Sequence, residues 1–369
     1  MSEQQGLKID EAWASNKPFN FFGPCSAESP DQLRDTAKGI WEQLGSAFIF
    51  RAGVWKPRTR PNSFEGAGIA ALPWLKEVKD EFGFKISTEV ANAQHVEHCL
   101  KNEVDVLWIG ARTTVSPFAV QEIAEALKGA NVSVFVKNPI HADLSLWMGA
   151  LERINKAGIT KLGAIHRGFH MLDSAPYRNL PIWKLAMELK QTFDNLPIVC
   201  DASHISGKPT LIPHVVQKSL DLNMDGLMIE THCQPQLALS DAKQQITPKE
   251  LFDLLTHVEV RQSTTNNQEF VSKMEELRTM IDAIDDKALD LVARRMNLVQ
   301  EIGNYKKDNK VTIFQVERWR KVLERSTAKG HDLGLSQEFI KSLFDAVHHE
   351  SIRQQNSVMN PDLKRHKEV

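Results

Sequence analysis

Up to about residue 260, short apolar runs alternate with longer stretches in which apolar residues recur at helical spacing. The short runs have the length of buried strands, and they read FNFFG, AFIFRAG, FKISTEV, DVLWIGA, SVFVKNP, KLGAIHRG, PIVCDASH and GLMIETH. Strands that alternate with helices form parallel sheets. Eight such repeats have the size of a (β/α)₈ TIM barrel, which we predict for residues 1–260. A doubly wound sheet is the alternative, but no Gly-x-Gly-x-x-Gly follows the first run to support it.

A different pattern follows the polar segment RQSTTNNQEF, which predicts a linker at residues 261–269. Helical apolar spacing then continues for nearly forty residues, from VSKMEEL to YKKDN, and two further helical patterns follow it. Ser336, with Glu338 close behind, is typical of the start of the last helix. The sequence therefore predicts an all-α domain over residues 270–369. Because a long unpartnered helix would expose its apolar stripe, we expect a homodimer through this domain, with higher assembly left open.

Composition narrows the class of protein. Charged residues make up 25% and hydrophobic residues 42% of the 369 positions, and the net charge is −2, so neither nucleic acid nor an anionic membrane is an expected partner. The chain has no apolar run long enough to span a membrane, and its first residues are unlike a signal peptide. Four cysteines without a pairing pattern fit a reducing compartment, and we expect a cytoplasmic protein.

Charged and polar side chains follow the predicted strands, at the barrel face where active sites of such folds lie. A single basic residue at a strand end is usually part of a surface ion pair. Several on one face repel one another unless anions neutralise them, so they indicate phosphate or carboxylate ligands. These basic residues are Arg51, Lys56, Arg58, Arg112, Lys137 and Arg167.

A second group at the same face combines a thiol, an imidazole and two carboxylates. Cys25 follows the first strand, His204 the seventh and Glu230 the eighth, and Asp241 lies in the next loop. Such donors can together hold a divalent transition metal, and Mn, Fe, Zn and Co all remain open. Cys25 alone would be a small buried hydrophobe, and His204 alone a hydrogen-bonded structural residue.

These motifs resemble those of type I, β-subgroup 3-deoxy-D-arabino-heptulosonate 7-phosphate (DAHP) synthases. The resemblance covers about residues 15–260 through GPCSAES, RAGVWKPRTRPNSFEG, IGART, VKNP, IHRGF, CDASHISGKPTL, MIETH and ALSDAKQQI. It implies a metal-dependent barrel that joins phosphoenolpyruvate to erythrose 4-phosphate, at the start of the shikimate route to aromatic amino acids. It implies Cys25, His204, Glu230 and Asp241 as metal ligands, with Mn²⁺ favoured over Fe²⁺, Co²⁺ and Zn²⁺.

The same resemblance assigns the basic residues. Lys56 is implied to deliver a proton near the new alkoxide, and Asp201 to orient His204 or a bound water. The KPRT signature comprises Lys56, Pro57, Arg58 and Thr59. The resemblance implies that its last two residues face the sugar phosphate. The implied contacts to phosphoenolpyruvate are Arg51, Lys56, Arg112, Lys137 and Arg167. A sister family, 3-deoxy-manno-octulosonate 8-phosphate synthase, usually has Ala-Asn where this chain has Pro57-Arg58, and it is the alternative for the barrel.

Basic residues also recur on the long predicted helix. Arg295 and Lys306 are eleven positions apart, which places them within about 20° of each other around the axis. Arg278 lies about 25 Å from Arg295 along the axis, so one small ligand cannot touch both within one helix. Ser351 and Gln355 stand at i,i+4 on the last helix. The plain interpretation is a solvated charged face; the alternative is an anion site that a second subunit completes.

The tail, over about residues 270–358, resembles an AroQ-type chorismate mutase. The resemblance implies rearrangement of chorismate to prephenate without a metal, with Arg278 acting across subunits. Lys306 and Gln355 are implied to contact the ether oxygen, and the other implied pocket residues are Arg295, Arg318 and Ser351. Gln315 and Trp319 depart from the Asp and Glu of many members. The resemblance predicts a mutase that these departures weaken, with a non-catalytic regulatory or dimerisation module as the alternative.

Together the two resemblances imply a bifunctional shikimate-pathway enzyme. Its expected small-molecule partners are phosphoenolpyruvate, erythrose 4-phosphate, chorismate and prephenate. Little chain precedes the first strand, so we expect the mutase domain, rather than an N-terminal regulatory domain, to mediate feedback inhibition by prephenate or chorismate.

Overall fold

The structure is a computed structural model, and it describes residues 6–56, 64–262 and 264–361. The chain divides into two compact units, Met1–Ser263 and Thr264–Val369. None of the helices in these described ranges is both long enough and apolar enough to cross a membrane.

The first unit is a closed barrel, which confirms the predicted fold. Its parallel strands pair in chain order, and β1 closes the barrel against β8, with Phe21 opposite Met228 and Gly23 opposite Glu230. Most strand residues are buried, as expected for strands covered by helices on one side and a filled barrel on the other. The described residues form these strands: β1 (Phe21–Gly23), β2 (Ile49–Arg51), β3 (Lys85–Val90), β4 (Val106–Ile109), β5 (Ser133–Lys137), β6 (Leu162–His166), β7 (Ile198–Asp201) and β8 (Gly226–Glu230).

Helices follow the strands and cover the barrel with their apolar faces. Their starts carry capping side chains: Ser29 accepts from the Gln32 amide before α2, and Thr247 and Glu250 form a capping box at α11. The helices of this unit are α1 (Glu11–Ala14), α2 (Pro30–Leu44), α3 (Ala71–Phe82), α4 (Ala93–Lys101), α5 (Ala111–Thr114), α6 (Pro117–Ala126), α7 (Leu144–Lys156), α8 (Trp183–Thr192), α9 (Ala202–Ser206), α10 (Ile212–Asp221) and α11 (Pro248–His257).

Aromatic side chains fill the barrel interior, and Trp108 is the last of them towards the carboxyl ends of the strands. Phe135 packs edge-on against Phe21, with ring centroids 5.1 Å apart. Above them the Arg51 guanidinium carbon lies 5.0 Å and the Lys137 Nζ 5.6 Å from the Trp108 ring centroid. Trp108 thus separates the apolar interior from the charged residues at the carboxyl ends of the strands, and its ring makes cation–π contacts with both cations.

Gly23 ends β1 in a conformation that other residues rarely adopt. Its φ is +138°, and a Cβ there would lie 2.3 Å from the Arg51 carbonyl oxygen. Only glycine permits this approach of β1 to β2. Pro24 and Cys25 follow directly, so the close approach of β1 to β2 determines the position of the Cys25 side chain.

The second unit contains three helices, as the periodicity predicts: α12 (Gln268–Asp308), α13 (Val316–Asp332) and α14 (Gln337–Met359). α12 has 41 residues and is about 60 Å long, and it begins at Gln268, two residues inside the predicted linker. Its second half packs on α14 through Met296, Val299 and Gly303. Its first half leaves large apolar side chains exposed, and these include Phe270, Leu277, Met280, Ile281 and Ile284.

Candidate active sites

The four predicted metal ligands converge at the carboxyl end of the barrel. Ligand atoms of Cys25, Glu230 and Asp241 all lie within 4.8 Å of one another. His204 comes from α9, and its Nε2 lies 3.8 Å from Glu230 Oε1 and 3.9 Å from Asp241 Oδ2. Residues separated by more than 200 positions in the sequence therefore surround one point, as strand-end residues of a barrel can.

The imidazole of His204 is prepared to bind a cation through Nε2. Its Nδ1 lies 2.9 Å from Asp201 Oδ2, and Asp201 also accepts a hydrogen bond from Lys137 at 2.8 Å. Burial lowers the pKa of His204 more than Asp201 and Glu230 raise it, so the ring is neutral at neutral pH. A neutral ring that donates through Nδ1 leaves the Nε2 lone pair free, which is the usual arrangement of a metal-binding histidine.

The Cys25 thiol also fits this role. Burial and the charge of Glu230 raise the pKa of Cys25 to about 12, so the thiol carries a proton. Its Sγ donates to Asp241 Oδ2 over 3.5 Å. A divalent ion would displace this proton, because metals bind the thiolate. One thiolate, one imidazole and two carboxylates suit a first-row transition metal, and the residues therefore fit the ion that the resemblance implies.

Three side chains that the sequence analysis missed support these ligands. Gln244 Nε2 donates to Glu230 Oε2 at 2.6 Å, and Gln245 Oε1 accepts from the Cys25 amide at 3.0 Å. Arg178 Nη1 forms an ion pair with Asp241 at 3.2 Å. The glutamines follow Asp241 within the quoted motif ALSDAKQQI, which is the signal that could have identified them. Arg178 lies in a different loop and carries no such signal.

Arg51 contributes the most buried cation of the predicted anion site. Its side chain is 1% exposed, and one nitrogen, Nη2, lies 3.2 Å from Glu230 Oε1. Among the described residues, its Nε and Nη1 have no hydrogen-bond partner. Buried donors of this kind are normally satisfied. The N–H groups on these two nitrogens are therefore available to donate to a carboxylate or a phosphate.

The remaining basic residues differ in exposure. Arg167 donates to Asn179 Oδ1 at 2.9 Å, and although burial lowers its pKa to about 10 it stays charged at neutral pH. Arg112 is exposed on α5 and repels the charge of Arg167. Lys56 Nζ lies over Gly53, where a Cβ would approach it to 3.0 Å. The predicted contacts Pro57, Arg58 and Thr59 lie outside the described residues.

His166 and Glu89, which also stand at strand ends, take structural positions. The His166 ring lies among aromatic rings, with centroids 5.2 Å from Trp183 and 5.8 Å from Phe169. Burial lowers its pKa to about 3, so it is neutral. Glu89 accepts from Trp108 Nε1 at 2.9 Å, and a Cβ on Gly110 would overlap its carboxylate.

Four of the six predicted residues of the helical unit lie where the second half of α12 packs on α14, and they define the candidate helical pocket. Arg295 Nη1 donates to Ser351 Oγ at 2.6 Å, and Lys306 Nζ donates to the Ile313 carbonyl at 2.5 Å. Gln355 is 8% exposed, and its Oε1 has no hydrogen-bond partner among the described residues. Burial and the charge of Arg318 lower the pKa of Arg295, so Arg318 also approaches this pocket.

One wall of this pocket is aromatic. The Trp319 ring stacks on His348 at 4.0 Å with an interplanar angle of 15°. His348 lies close enough to Arg295 to feel its charge. An aromatic pair therefore stands where the resemblance leads one to expect a carboxylate. Arg278 does not join the pocket and is exposed on the first half of α12.

The closed parallel barrel thus carries, at the carboxyl ends of its strands, a set of side chains that could hold a metal ion and buried cations beside them. The chain belongs to the DAHP synthetase I family, whose family model matches residues 12–267. The family model of chorismate mutase type II matches residues 277–356.

Individual relatives agree with the first match. Phospho-2-dehydro-3-deoxyheptonate aldolase of Thermotoga maritima is 30% identical over 224 residues, which are 61% of this chain and 64% of the relative. The chain thus spans less than two thirds of that relative's length. A crystal structure of the Phospho-2-dehydro-3-deoxyheptonate aldolase (DAHP synthase) of Thermotoga maritima has a TM-score of 0.58 at 26% identity, covering 64% of this chain and 67% of that chain.

Other relatives carry a different name. The 2-dehydro-3-deoxyphosphooctonate aldolase of Helicobacter pylori is 30% identical over 268 residues, which are 65% of this chain and 94% of the relative. That of Helicobacter acinonychis is 28% identical over 258 residues, or 63% and 91%. The barrel is therefore similar to enzymes with both names.

Proposed function

We propose that this chain is a bifunctional enzyme. Residues 1–260 condense phosphoenolpyruvate with erythrose 4-phosphate to DAHP and phosphate, and residues 270–369, after a linker at 261–269, rearrange chorismate to prephenate. The observation that carries the synthase proposal is the buried guanidinium of Arg51, two of whose nitrogens have no hydrogen-bond partner among the described residues, next to the cation ligands Cys25, His204, Glu230 and Asp241. An anionic substrate bound to Arg51 would lie beside the proposed divalent ion.

In the proposed synthase reaction, the cations hold phosphoenolpyruvate so that its C3 faces the aldehyde of the sugar. Arg51 and Lys137 lie deepest, whereas Arg167 and Arg112 are nearer the surface. When bound, a divalent ion, Mn²⁺ in this proposal, polarises the aldehyde oxygen of erythrose 4-phosphate. C3 attacks that carbon, water adds at C2, and cleavage of the C–O bond releases phosphate.

Lys56 is the proposed proton donor to the new alkoxide. Burial lowers the pKa of Lys56, but the acidic groups around it, Glu230 and Glu89 among them, together raise it further, and the net pKa is raised. The side chain is therefore an ammonium that can donate a proton near the ligand cluster. Arg58 and Thr59, which follow Pro57 in the KPRT signature, are proposed to bind the sugar phosphate.

In the proposed mutase reaction, the pocket works by positioning and charge alone. Arg295, Arg318 and Ser351 hold the dicarboxylate, and Lys306 and Gln355 donate to the ether oxygen as its charge grows. The donor for this role is Gln355 Nε2, which makes a long hydrogen bond of 3.4 Å to the Ser351 carbonyl that a bound ether oxygen can replace. The alternative, a non-catalytic module, keeps the same binding residues but predicts no turnover.

A 3-deoxy-manno-octulosonate 8-phosphate synthase activity is the second candidate for the barrel, because the Helicobacter relatives carry the corresponding name. The two activities differ in the aldehyde substrate, so turnover of purified full-length protein with each aldehyde separates them. We expect kcat/KM for erythrose 4-phosphate to exceed that for arabinose 5-phosphate by at least about 10-fold. The reverse preference would assign the barrel to the sister activity.

We further propose that prephenate bound in the helical pocket inhibits the synthase. An Arg295→Ala variant of the full chain should lose this inhibition, because its pocket lacks the cation that contacts Ser351. The measurement is the initial rate of DAHP formation with and without prephenate. Arg294→Ala is the matched control, since Arg294 is the preceding residue and is exposed. Inhibition that survives in Arg295→Ala would contradict a sensor at this pocket.

A further inference from the structure

The loop between β6 and α8 places two adjacent side chains against the cation ligands. Arg178 Nη1 lies 3.2 Å from Asp241 Oδ1 and also donates to Gln244 Oε1. Gln244 in turn donates to Glu230 Oε2 at 2.6 Å. One guanidinium therefore contacts one ligand carboxylate directly and is connected to the other through a single amide.

Asn179 makes the corresponding contact on the other side of the cluster. Its Nδ2 donates to the backbone oxygen of His204 at 2.7 Å, and its Oδ1 accepts from Arg167 Nη1 at 2.9 Å. The side chain is buried, with 4% of the residue exposed. Asn179 thus bridges a ligand of the proposed ion and a cation of the proposed phosphoenolpyruvate site.

The backbone holds both residues in place. The amides of Arg178 and Asn179 donate to the Ile205 carbonyl at 3.0 and 3.3 Å. Gly207 ends α9 with φ +69°, and a Cβ there would lie 2.4 Å from the Arg178 Cβ. The loop can approach α9 this closely only because position 207 is glycine.

The ligand cluster needs this support for an electrostatic reason. Glu230 and Asp241 are two carboxylates at short range that repel each other unless cations lie near them. Asp241 also sits in a loop with a left-handed φ of 48°, which is unfavourable for a residue with a side chain. Arg178 offsets the repulsion and holds the Asp241 carboxylate through an ion pair of 3.2 Å.

We propose that Arg178 and Asn179 are positioning residues that hold three of the four cation ligands, Asp241 and Glu230 through Arg178 and His204 through Asn179, in the geometry that binds the ion. Neither residue touches the ion. The proposal rests on the proposed metal dependence of the synthase, but its test needs no turnover.

The test is a titration of metal-stripped, full-length protein with Mn²⁺, in which electron paramagnetic resonance reports the free ion. Arg178→Gln is expected to weaken Mn²⁺ binding about 10- to 100-fold, as loss of a residue that orients ligands does. Asn179→Ala should weaken it in the same direction. Arg34→Gln is the matched control. This substitution also removes an ion pair between an arginine and a carboxylate, Glu81, but the pair lies on the protein surface, away from the ligands. The control should bind Mn²⁺ like the wild type.

Two further measurements separate positioning from general loss of structure. Arg178→Lys keeps a charge but has a shorter, unbranched side chain without the planar guanidinium, so its affinity should fall between those of wild type and Arg178→Gln. The visible spectrum of the Co²⁺ form should change in Arg178→Gln while its thiolate band remains, because Cys25 is not contacted by Arg178. If Arg178→Gln does not fold, Arg178→Lys carries the test alone. Wild-type affinity in every folded variant would overturn the proposal, whereas a wild type that binds no Mn²⁺ would overturn the metal dependence itself.

Discussion

Removing divalent ions from the full-length protein with EDTA is expected to lower the rate of DAHP formation by at least about 100-fold, because the ion supplies the charge that polarises the aldehyde. The chorismate rearrangement should continue at its full rate, since the helical pocket holds cations and amides but no such ligand cluster among its described residues. The two rates are measured on the same sample, one by DAHP formation and the other by loss of chorismate absorbance. Added Mn²⁺ should restore the first rate.

Cys25→Ala should reproduce this separation without a chelator. The variant removes the only soft donor of the cluster, so the synthase should lose activity while the mutase keeps it. Cys99→Ala is the matched control, because Cys99 is equally buried but lies in α4, away from the ligands. Loss of both activities in Cys25→Ala would indicate a folding defect, and full synthase activity after EDTA treatment would refute the metal proposal.

The barrel could be predicted because its signals are repetitive. Each strand is a short apolar run, and each is followed by a helical pattern, so even weak local signals add up to eight units. Cys25, His204 and Glu230 could be placed together because all carboxyl ends of the strands meet at one face. A prediction of position therefore followed from a prediction of topology, without any knowledge of side-chain contacts.

The supporting residues could not be predicted in the same way. Arg178 lies eleven residues after Arg167 in a loop without regular spacing, and only the folded loop brings it to Asp241. Trp108 lies within a strand that reads as ordinary core, and its position between the apolar interior and the cations depends on the barrel register. The neutral, packed state of His166 likewise depends on nearby Phe169 and on Trp147 and Trp183, which come from α7 and α8.

In the helical unit, too, some features follow from the sequence and others depend on tertiary contacts. The common face of Arg295 and Lys306 follows from helix geometry alone. Their contacts to Ser351 and the Ile313 carbonyl require the packing of α12 against the rest of the unit. The stacking of Trp319 on His348 joins α13 to α14, and no periodicity within either helix indicates it.

Arg278→Ala and Arg295→Ala are each expected to reduce chorismate turnover by about 100-fold or more, because each removes a cation that holds the dicarboxylate. Arg278 nevertheless lies on the exposed first half of α12, about 25 Å along the helix from Arg295. The apolar side chains exposed around it are those that a second copy of the chain would cover. We therefore propose that Arg278 completes the pocket of the partner subunit in a homodimer.

A mixture of the two inactive variants tests this arrangement. In a heterodimer of Arg278→Ala and Arg295→Ala protomers, one pocket would carry both changes and the other pocket would carry neither. Random reassociation of equal amounts should therefore restore about a quarter of the wild-type rate, since half of the dimers are mixed and each has one intact pocket. The matched control mixes Arg295→Ala with Lys306→Ala, two changes in residues of the same helix half, and should restore nothing. If mixed dimers form and Arg278→Ala with Arg295→Ala also gives no recovery, Arg278 does not act across the subunit interface, and the exposed half of α12 serves assembly alone.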